Sequence, residues 1–325
     1  MFKYAMKAAA KSEAQLLNRI SSFEKLQLSP SIELYLSGSE DIFNTNNSFI
    51  VKNCLKFPEC EYAVHFPIFD FATKYIYDAY NSEDEKLKIV LDFCQRINSR
   101  SLVMHRCFGF NKGIDKVQAE NKFLDKVVKW NQMAKESDLK ILVENYGFVW
   151  LPAGFDMEYV LSPLDHFFPW DIIQFYNNLT RLNLGNIGIL LDIAHAVLST
   201  NMFNMLQRHP EMRRDKRFQN IYNDDLKNKD SLGVEDFIYN FINYFHISDS
   251  FIWVEENGVS DLKKYISTEN LPIGQGNINY LELFKNISGN KAMIMEINSE
   301  NGDHVNNISQ SKAVELFRNN YIAEN

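Results

Sequence analysis

The sequence has little cysteine: Cys54, Cys60, Cys94 and Cys107 are all it holds in 325 residues, and no two form a C-x-x-C pair. That is too sparse for a disulfide framework, and reduced thiols in a cytoplasmic protein are the simplest reading. No run of 18 apolar residues occurs, which excludes a helical membrane span. The first residues are interrupted by Lys3, Lys7 and Lys11, so the apolar core of a secretory signal is missing. Positive charge is also in deficit: 34 basic against 42 acidic side chains leave a net charge of −8. Phosphate contacts need clustered Lys and Arg, so this balance argues against a nucleic-acid partner. Low-complexity tracts are absent. What the chain does have is apolar and aromatic bulk, with 46% hydrophobic residues, 25 Phe and 15 Tyr, enough for a large core and far too much for a solvated coil.

Short apolar runs recur along this chain: SIELYL from Ser31, YAVHF from Tyr62, SLVMH from Ser101, KILVE from Lys140, GILLD from Gly188, YFHIS from Tyr244 and AMIMEI from Ala292. Several do not alternate, as expected of strands covered on both faces. Helical stripes lie between them: Leu87, Val90, Leu91 and Cys94; Phe123, Val127, Trp130 and Met133; and, over Val234–Phe245, Phe237, Phe241 and Phe245. Strand alternating with helix predicts a parallel sheet. His65, His105, Glu144, Asp192, His246 and Glu296 each stand at or near the C-terminal end of a run, separated by 40, 39, 48, 54 and 50 residues. At about 40 residues per unit, eight βα units fill the chain. The expectation is a single (β/α)8 TIM-barrel domain over 1–325, with a helix at about 11–24 and a barrel core at about 28–320. The eighth strand would fall near Glu269–Ile273. Long segments at Phe148–Asp171 and Val197–Leu232 would follow the fourth and fifth strands and overhang the mouth.

In a barrel the C-terminal strand ends converge. Glu144, Asp192, His246 and Glu296 would then offer three carboxylates and an imidazole to one divalent ion, Mn²⁺, Mg²⁺, Co²⁺ or Zn²⁺. An acid inside an apolar run (LVEN, LLDI, IMEI) supports this, because a buried carboxylate without a partner costs several kcal/mol. Any one of these residues alone would read as a solvated or salt-bridged group. The weight lies in six of them sharing one end of six runs.

Read in order, IEL (Ile32–Leu34), HFP (His65–Pro67), VMH (Val103–His105), VEN (Val143–Asn145), LLDIAHA (Leu190–Ala196), HISD (His246–Asp249), GQG (Gly274–Gly276) and MEI (Met295–Ile297) resemble the xylose isomerase-like TIM-barrel superfamily. That superfamily holds sugar and sugar-phosphate isomerases and epimerases, and endonuclease IV. The resemblance implies an ion on Glu144, Asp192, His246 and Glu296. It makes Glu144 and Glu296 the proton-transfer pair, acting next to a carbonyl through a metal-stabilised enediolate. It puts His195, of the D-x-x-H motif, at the substrate, where it could hydrogen-bond a developing oxyanion.

His65, His105 and Asp249 complete the substrate-facing set. Trp150, with Phe155, Tyr159, Phe167, Phe168 and Trp170, is read equally as a lid stacking on a sugar ring, as core, or as a dimer interface. His65 and His105 also match positions that bind a further zinc in endonuclease IV. That branch uses an Asp-x-His before its G-x-G, where this chain reads STENLPIGQG, and no His lies between His246 and His304. A three-zinc nuclease is therefore disfavoured. A metal-dependent nuclease or phosphoesterase and a non-catalytic sugar-binding barrel stand as the alternatives. HISDS lacks the basic residue that many relatives carry there. Arg208, Arg213, Arg214, Lys216 and Arg217 could meet an anionic substrate or simply form a solvated face. A sugar or sugar phosphate is the expected partner, and a homodimer is compatible with the resemblance.

Overall fold

The computed structural model describes residues 2–44, 48–70, 72–81, 83–109, 113–146, 164, 168–214, 218 and 224–320. Eight parallel strands close into a barrel: β1 (Phe2–Ala9), β2 (Ser31–Tyr35), β3 (Glu61–His65), β4 (Ser101–His105), β5 (Lys140–Glu144), β6 (Ile187–Asp192), β7 (Tyr244–Ile247) and β8 (Lys291–Met295). Helices α1 (Glu13–Lys25), α2 (Ser39–Asn44), α3 (Ser48–Leu55), α4 (Asp84–Arg96), α5 (Lys116–Glu136), α6 (Pro169–Arg181), α7 (Ile193–Arg208), α8 (Leu262–Ser267), α9 (Tyr280–Phe284) and α10 (Ile308–Asn320) lie between and after them. A two-stranded antiparallel ribbon, Phe69–Asp70 with Tyr75–Ile76, stands apart from the barrel.

The predicted stripes are the faces buried in α4 and α5: Leu87, Val90, Leu91 and Cys94, then Phe123, Val127 and Trp130, with Met133 partly buried. Ser12 and Asp115 start α1 and α5 by accepting from the amides of Gln15 and Gln118. All four cysteines are buried, and none forms a disulfide. No described helix is long and apolar enough to cross a membrane.

Two expectations about the elements are corrected. The eighth strand is not Glu269–Ile273 but the first residues of the chain. β1 pairs β8 (Met6 opposite Met295) and β2 (Lys7 opposite Glu33), so the barrel core begins well before residue 28. The segment near Glu269 looks extended because Leu271 makes a single antiparallel bridge to Asp249. With β1 counted, the two long segments follow the fifth and sixth strands. Second, Val234–Phe245 is not an α-helix. A 3-10 turn covers Val234–Phe237, and Phe245 already lies in β7, so the apparent helical period spanned two elements. The second long segment is also partly regular, since Val197–Arg208 belongs to α7.

Side chains alternate across each strand. Met6, Ile32, Leu34, Val64, Leu102, Met104, Ile141, Val143, Leu191, Phe245, Met293 and Met295 join the large cluster shared with the helices. Ala5, Val103, Leu142, Leu190 and Ile294, with Tyr244, form a separate small cluster that fills the barrel interior. Two residues further along these six strands stand Lys7, His105, Glu144, Asp192, Glu296 and His246. Glu33 and His65 face the same layer from β2 and β3. Each of the eight strands thus puts one ionisable group on top of the apolar plug.

Candidate functional site

Glu144 lies at the centre of this layer and is almost wholly buried. Its Oε2 is 3.1 Å from His65 Nε2 and 3.3 Å from His105 Nε2. Its Oε1 is 3.0 Å from His246 Nδ1 and 3.6 Å from His195 Nδ1. His246 is fully enclosed. Its Nδ1 also lies 2.8 Å from Glu296 Oε2 and 3.8 Å from Asp192 Oδ2, while Nε2 lies 3.0 Å from Glu33 Oε2. The structure therefore brings Glu144, Asp192, His246 and Glu296 together, with one ligand-capable atom from each within 4.8 Å of the others. Glu33, His65, His246 and Glu296 make a second such grouping, and His65, His105 and Glu144 a third.

Local structure fixes each group. Asp192 ends β6 and caps α7, its Oδ1 accepting from the His195 amide at 2.8 Å, so the D-x-x-H spacing is one helical turn read from its cap. Asn145 latches the ends of β5 and β6: its Oδ1 accepts from the Asp192 amide at 2.6 Å and its Nδ2 donates to the Asp192 carbonyl at 3.0 Å. Backbone carbonyls set two tautomers. His65 Nδ1 donates to Phe66 O, and His195 Nδ1 donates to Asn145 O, both at 2.9 Å. A carbonyl only accepts, so Nδ1 of each ring carries a proton and Nε2 is turned to a carboxylate, Glu144 for His65 and Glu269 for His195 (3.0 Å).

The charges in this layer strain against one another. Burial pushes Glu144 up, but His105, His246 and the hydrogen bonds from His246 and His65 hold it well below the usual carboxylate range. Burial also pushes Glu296 up, and Lys7 and His246 outweigh it in the same way. Asp192 is raised to about 6, by burial first and by Glu144 and Glu296 as well. Burial lowers His105 to about 3, so it is neutral at ordinary pH. Burial pulls His246 down, yet Glu33, Glu144 and Glu296 lift it well above its ordinary value. His195 is lifted likewise by Asp192 and Glu269 against burial.

The donor set fits a divalent cation. Three buried carboxylates, Glu33, Glu144 and Asp192, and the partly buried Glu296 face one another with only Lys7 as a permanent cation among the described residues of the layer, and Glu33 Oε1 is buried without a hydrogen-bond partner. His246 has its Nε2 on a carboxylate and its Nδ1 aimed among three others, the arrangement by which an outer carboxylate orients a metal-binding imidazole. Oxygen and nitrogen donors of this kind suit the harder and borderline divalent ions.

Other sequence-predicted residues fall elsewhere. The backbone of Asp249 bridges Leu271, and its side chain gathers amides around the GQG loop. Its two oxygens accept from the amides of Ser250, Gly274, Gly276 and Ile278, so it organises that loop and is not brought into the mouth cluster. Trp150, Phe155, Tyr159 and Phe167 lie outside the described residues. Phe168 and Trp170 pack as core, with Phe203. Arg208 pairs with Glu255 at 3.5 Å, Arg213 and Arg214 are exposed on a 3-10 turn, and Lys216 and Arg217 lie outside the described residues.

Sequence reasoning missed Lys7, Glu33, Asn145, Glu269 and Tyr146, whose ring stands edge-on to His105 and His195. Glu33 carried the same signal as Glu144, an acid within an apolar run, but in mid-strand. Lys7 was legible only once β1 was recognised.

The chain belongs to the xylose isomerase-like TIM-barrel family, whose model matches residues 79–319. No curated protein sequence matches it. Among solved structures it is similar to the IOLI protein with a binding zinc atom (TM-score 0.58, 15% identity, 98% of this chain and 99% of that one). It is also similar to D-psicose 3-epimerase in the presence of D-fructose (0.55, 10%, 98% and 99%). AP endonuclease, family 2, from Brucella melitensis matches to the same degree (0.55, 14%, 98% and 99%). At these identities the likeness is one of fold.

Proposed function

We propose that the protein is a divalent-metal-dependent isomerase or epimerase of a sugar or sugar derivative. The observation that carries this reading is the placement of Glu144 and Glu296, from β5 and the end of β8, on one imidazole nitrogen of His246, with Asp192 completing a ligand set of four. When bound, the ion polarises a carbonyl and its neighbouring hydroxyl and stabilises the negative charge left when an adjacent C–H proton departs.

The chain's own groups do the rest. Glu144 and Glu296 each present a carboxylate to the mouth, one to take the proton and the other to return it. His195, with Nδ1 fixed on the Asn145 carbonyl, would turn its Nε2–H from Glu269 to a substrate oxygen. His65 and His105 stand on Glu144 Oε2, and the His65 ring stacks 5.6 Å from that of His246. The apolar plug beneath excludes water from below. A small polyol substrate agrees with the sugar present in the D-psicose 3-epimerase structure.

The grouping of His65, His105 and Glu144 favours a second reading, a two-ion phosphoesterase. Solvent-proton exchange separates the two. The isomerase reading expects about one ion per chain and deuterium uptake from D₂O into at least one of a panel of ketoses, aldoses and their phosphates. Both Glu144→Gln and Glu296→Gln should cut exchange at least about a hundredfold. Full metal content together with full exchange in both variants would overturn the acid–base assignment. Cleavage of abasic DNA that is lost with EDTA would establish the phosphoesterase instead.

A further inference from the structure

Lys7 stands apart from the rest of the site. It is the only lysine or arginine among the eight groups of the mouth layer, and the barrel register forces it there: Lys7 is opposite Glu33 on β2, and its neighbour Met6 is opposite Met295, which precedes Glu296. The Lys7 ammonium bonds Glu296 Oε1, while the other oxygen of that carboxylate faces His246 Nδ1. The Lys7 side chain is largely buried, and its ammonium lies 5.5 Å from the centre of the Tyr35 ring. Its backbone is held as firmly: Gln310 Oε1 accepts from the Lys7 amide at 2.7 Å, and Arg19 Nε donates to the Lys7 carbonyl at 3.1 Å. Lys7 and Glu296 also line a polar cavity of about 410 Å³ together with Tyr35, Asn270 and Asn298. The pair is thus open to this cavity and not sealed in the core.

A fixed ammonium on one carboxylate oxygen of a set of three carboxylates and an imidazole has two physical effects. It pins Glu296 so that a single oxygen points inward, and it repels any second cation in the same layer. We propose that Lys7 is a positioning residue that acts as a built-in counter-cation, keeping Glu296 in place without metal and weakening the site's hold on a divalent ion. This rests on the metal-site reading above. It implies a loosely held, exchangeable ion and a mouth that stays assembled when the ion is gone.

The test is metal binding itself. The full-length protein, stripped with chelator, is titrated with Mn²⁺ and separately with Zn²⁺ against a fluorescent competitor. Lys7→Met should bind either ion about tenfold more tightly or better, because a unit charge of like sign is removed from the layer. Lys7→Arg keeps the charge and should stay within about threefold of wild type, or bind more weakly. In a Glu296→Gln background the gain from Lys7→Met should shrink to the part owed to direct charge repulsion, whereas a merely structural role would give no gain in either background. Metal-free Lys7→Met should also melt below wild type, with the gap closing at saturating Mn²⁺.

Should Lys7→Met fail to fold, Lys7→Gln, which keeps a donor and loses the charge, carries the same expectation. Unchanged or weaker binding by the charge-removing variants overturns the proposal while leaving the metal site standing. If neither wild type nor any Lys7 variant binds Mn²⁺ or Zn²⁺, the metal-site reading fails, and this inference falls with it.

Discussion

Asn145 shows how much one side chain can decide. A single amide ties the ends of β5 and β6 through two hydrogen bonds, and its own carbonyl orients His195. Asn145→Ala should therefore cost about 1–3 kcal/mol by denaturant titration, since both partner groups are buried and left unmet. Its turnover should fall more than that loss alone predicts, because Glu144 is the adjacent residue. Asp70 gives a pH expectation. Burial works against its charge, but the Ser39 and Thr73 amides and hydroxyls more than offset this and hold it well below its ordinary 3.8. A carboxyl depressed in the fold stabilises fully above its unfolded value and loses that contribution as pH falls toward its folded one. Asp70→Asn should lower Tm at pH 7, and the gap to wild type should shrink below about pH 4. At this scale the sequence was informative where chemistry contradicted its surroundings. Glu144, Asp192 and Glu296 each interrupt an apolar run, which needs an explanation. Glu33 does the same, but its mid-strand position hid it from an argument built on strand ends. Glu269 sits in a polar loop, and only three-dimensional proximity to His195 gives it meaning.

The GQG loop after β7 is the element whose construction is most demanding. Asp249 gathers four amides, and the turn closes so tightly that a Cβ on Gly276 would meet the Ser250 carbonyl oxygen at 2.1 Å and Asp249 Oδ1 at 2.4 Å. Gly276→Ala should destabilise by about 1–3 kcal/mol or more, read as a lower midpoint in urea. Glu269 lies in the same segment, so the alanine variant should also shift KM for any substrate that His195 contacts. Strands and helices with strong periods were read correctly from sequence, α4 and α5 among them. The failures came where period misleads. Three phenylalanines at helical spacing over Val234–Phe245 belong to a turn, a connection and a strand. Residues 2–9 alternate Lys and Ala with apolar neighbours, and their small, half-polar inner face suits the barrel interior without looking like a buried strand.

For the molecule as a whole, closure depends on β1. It contributes one edge to β8 and the other to β2, so deleting residues 2–9 would leave two open strand edges and remove Lys7. That truncation should be insoluble or molten, as judged by lost near-UV circular dichroism. An ion bound at the mouth would stitch β5, β6, β7 and the end of β8 together. Adding Mn²⁺ to the stripped protein at about a hundred times its dissociation constant should raise unfolding free energy by about 2.7 kcal/mol, and EDTA should reverse the rise in Tm. The Lys7–Glu296 pair joins residues 289 positions apart in the chain. On a ribosome, β1 emerges first and must wait for β8, the last strand, before either finds this partner. The candidate centre can therefore be assembled only after the 289 positions between its two partners have been synthesised. Until then one edge of β1 lacks its partner strand and is exposed to aggregation and to chaperones.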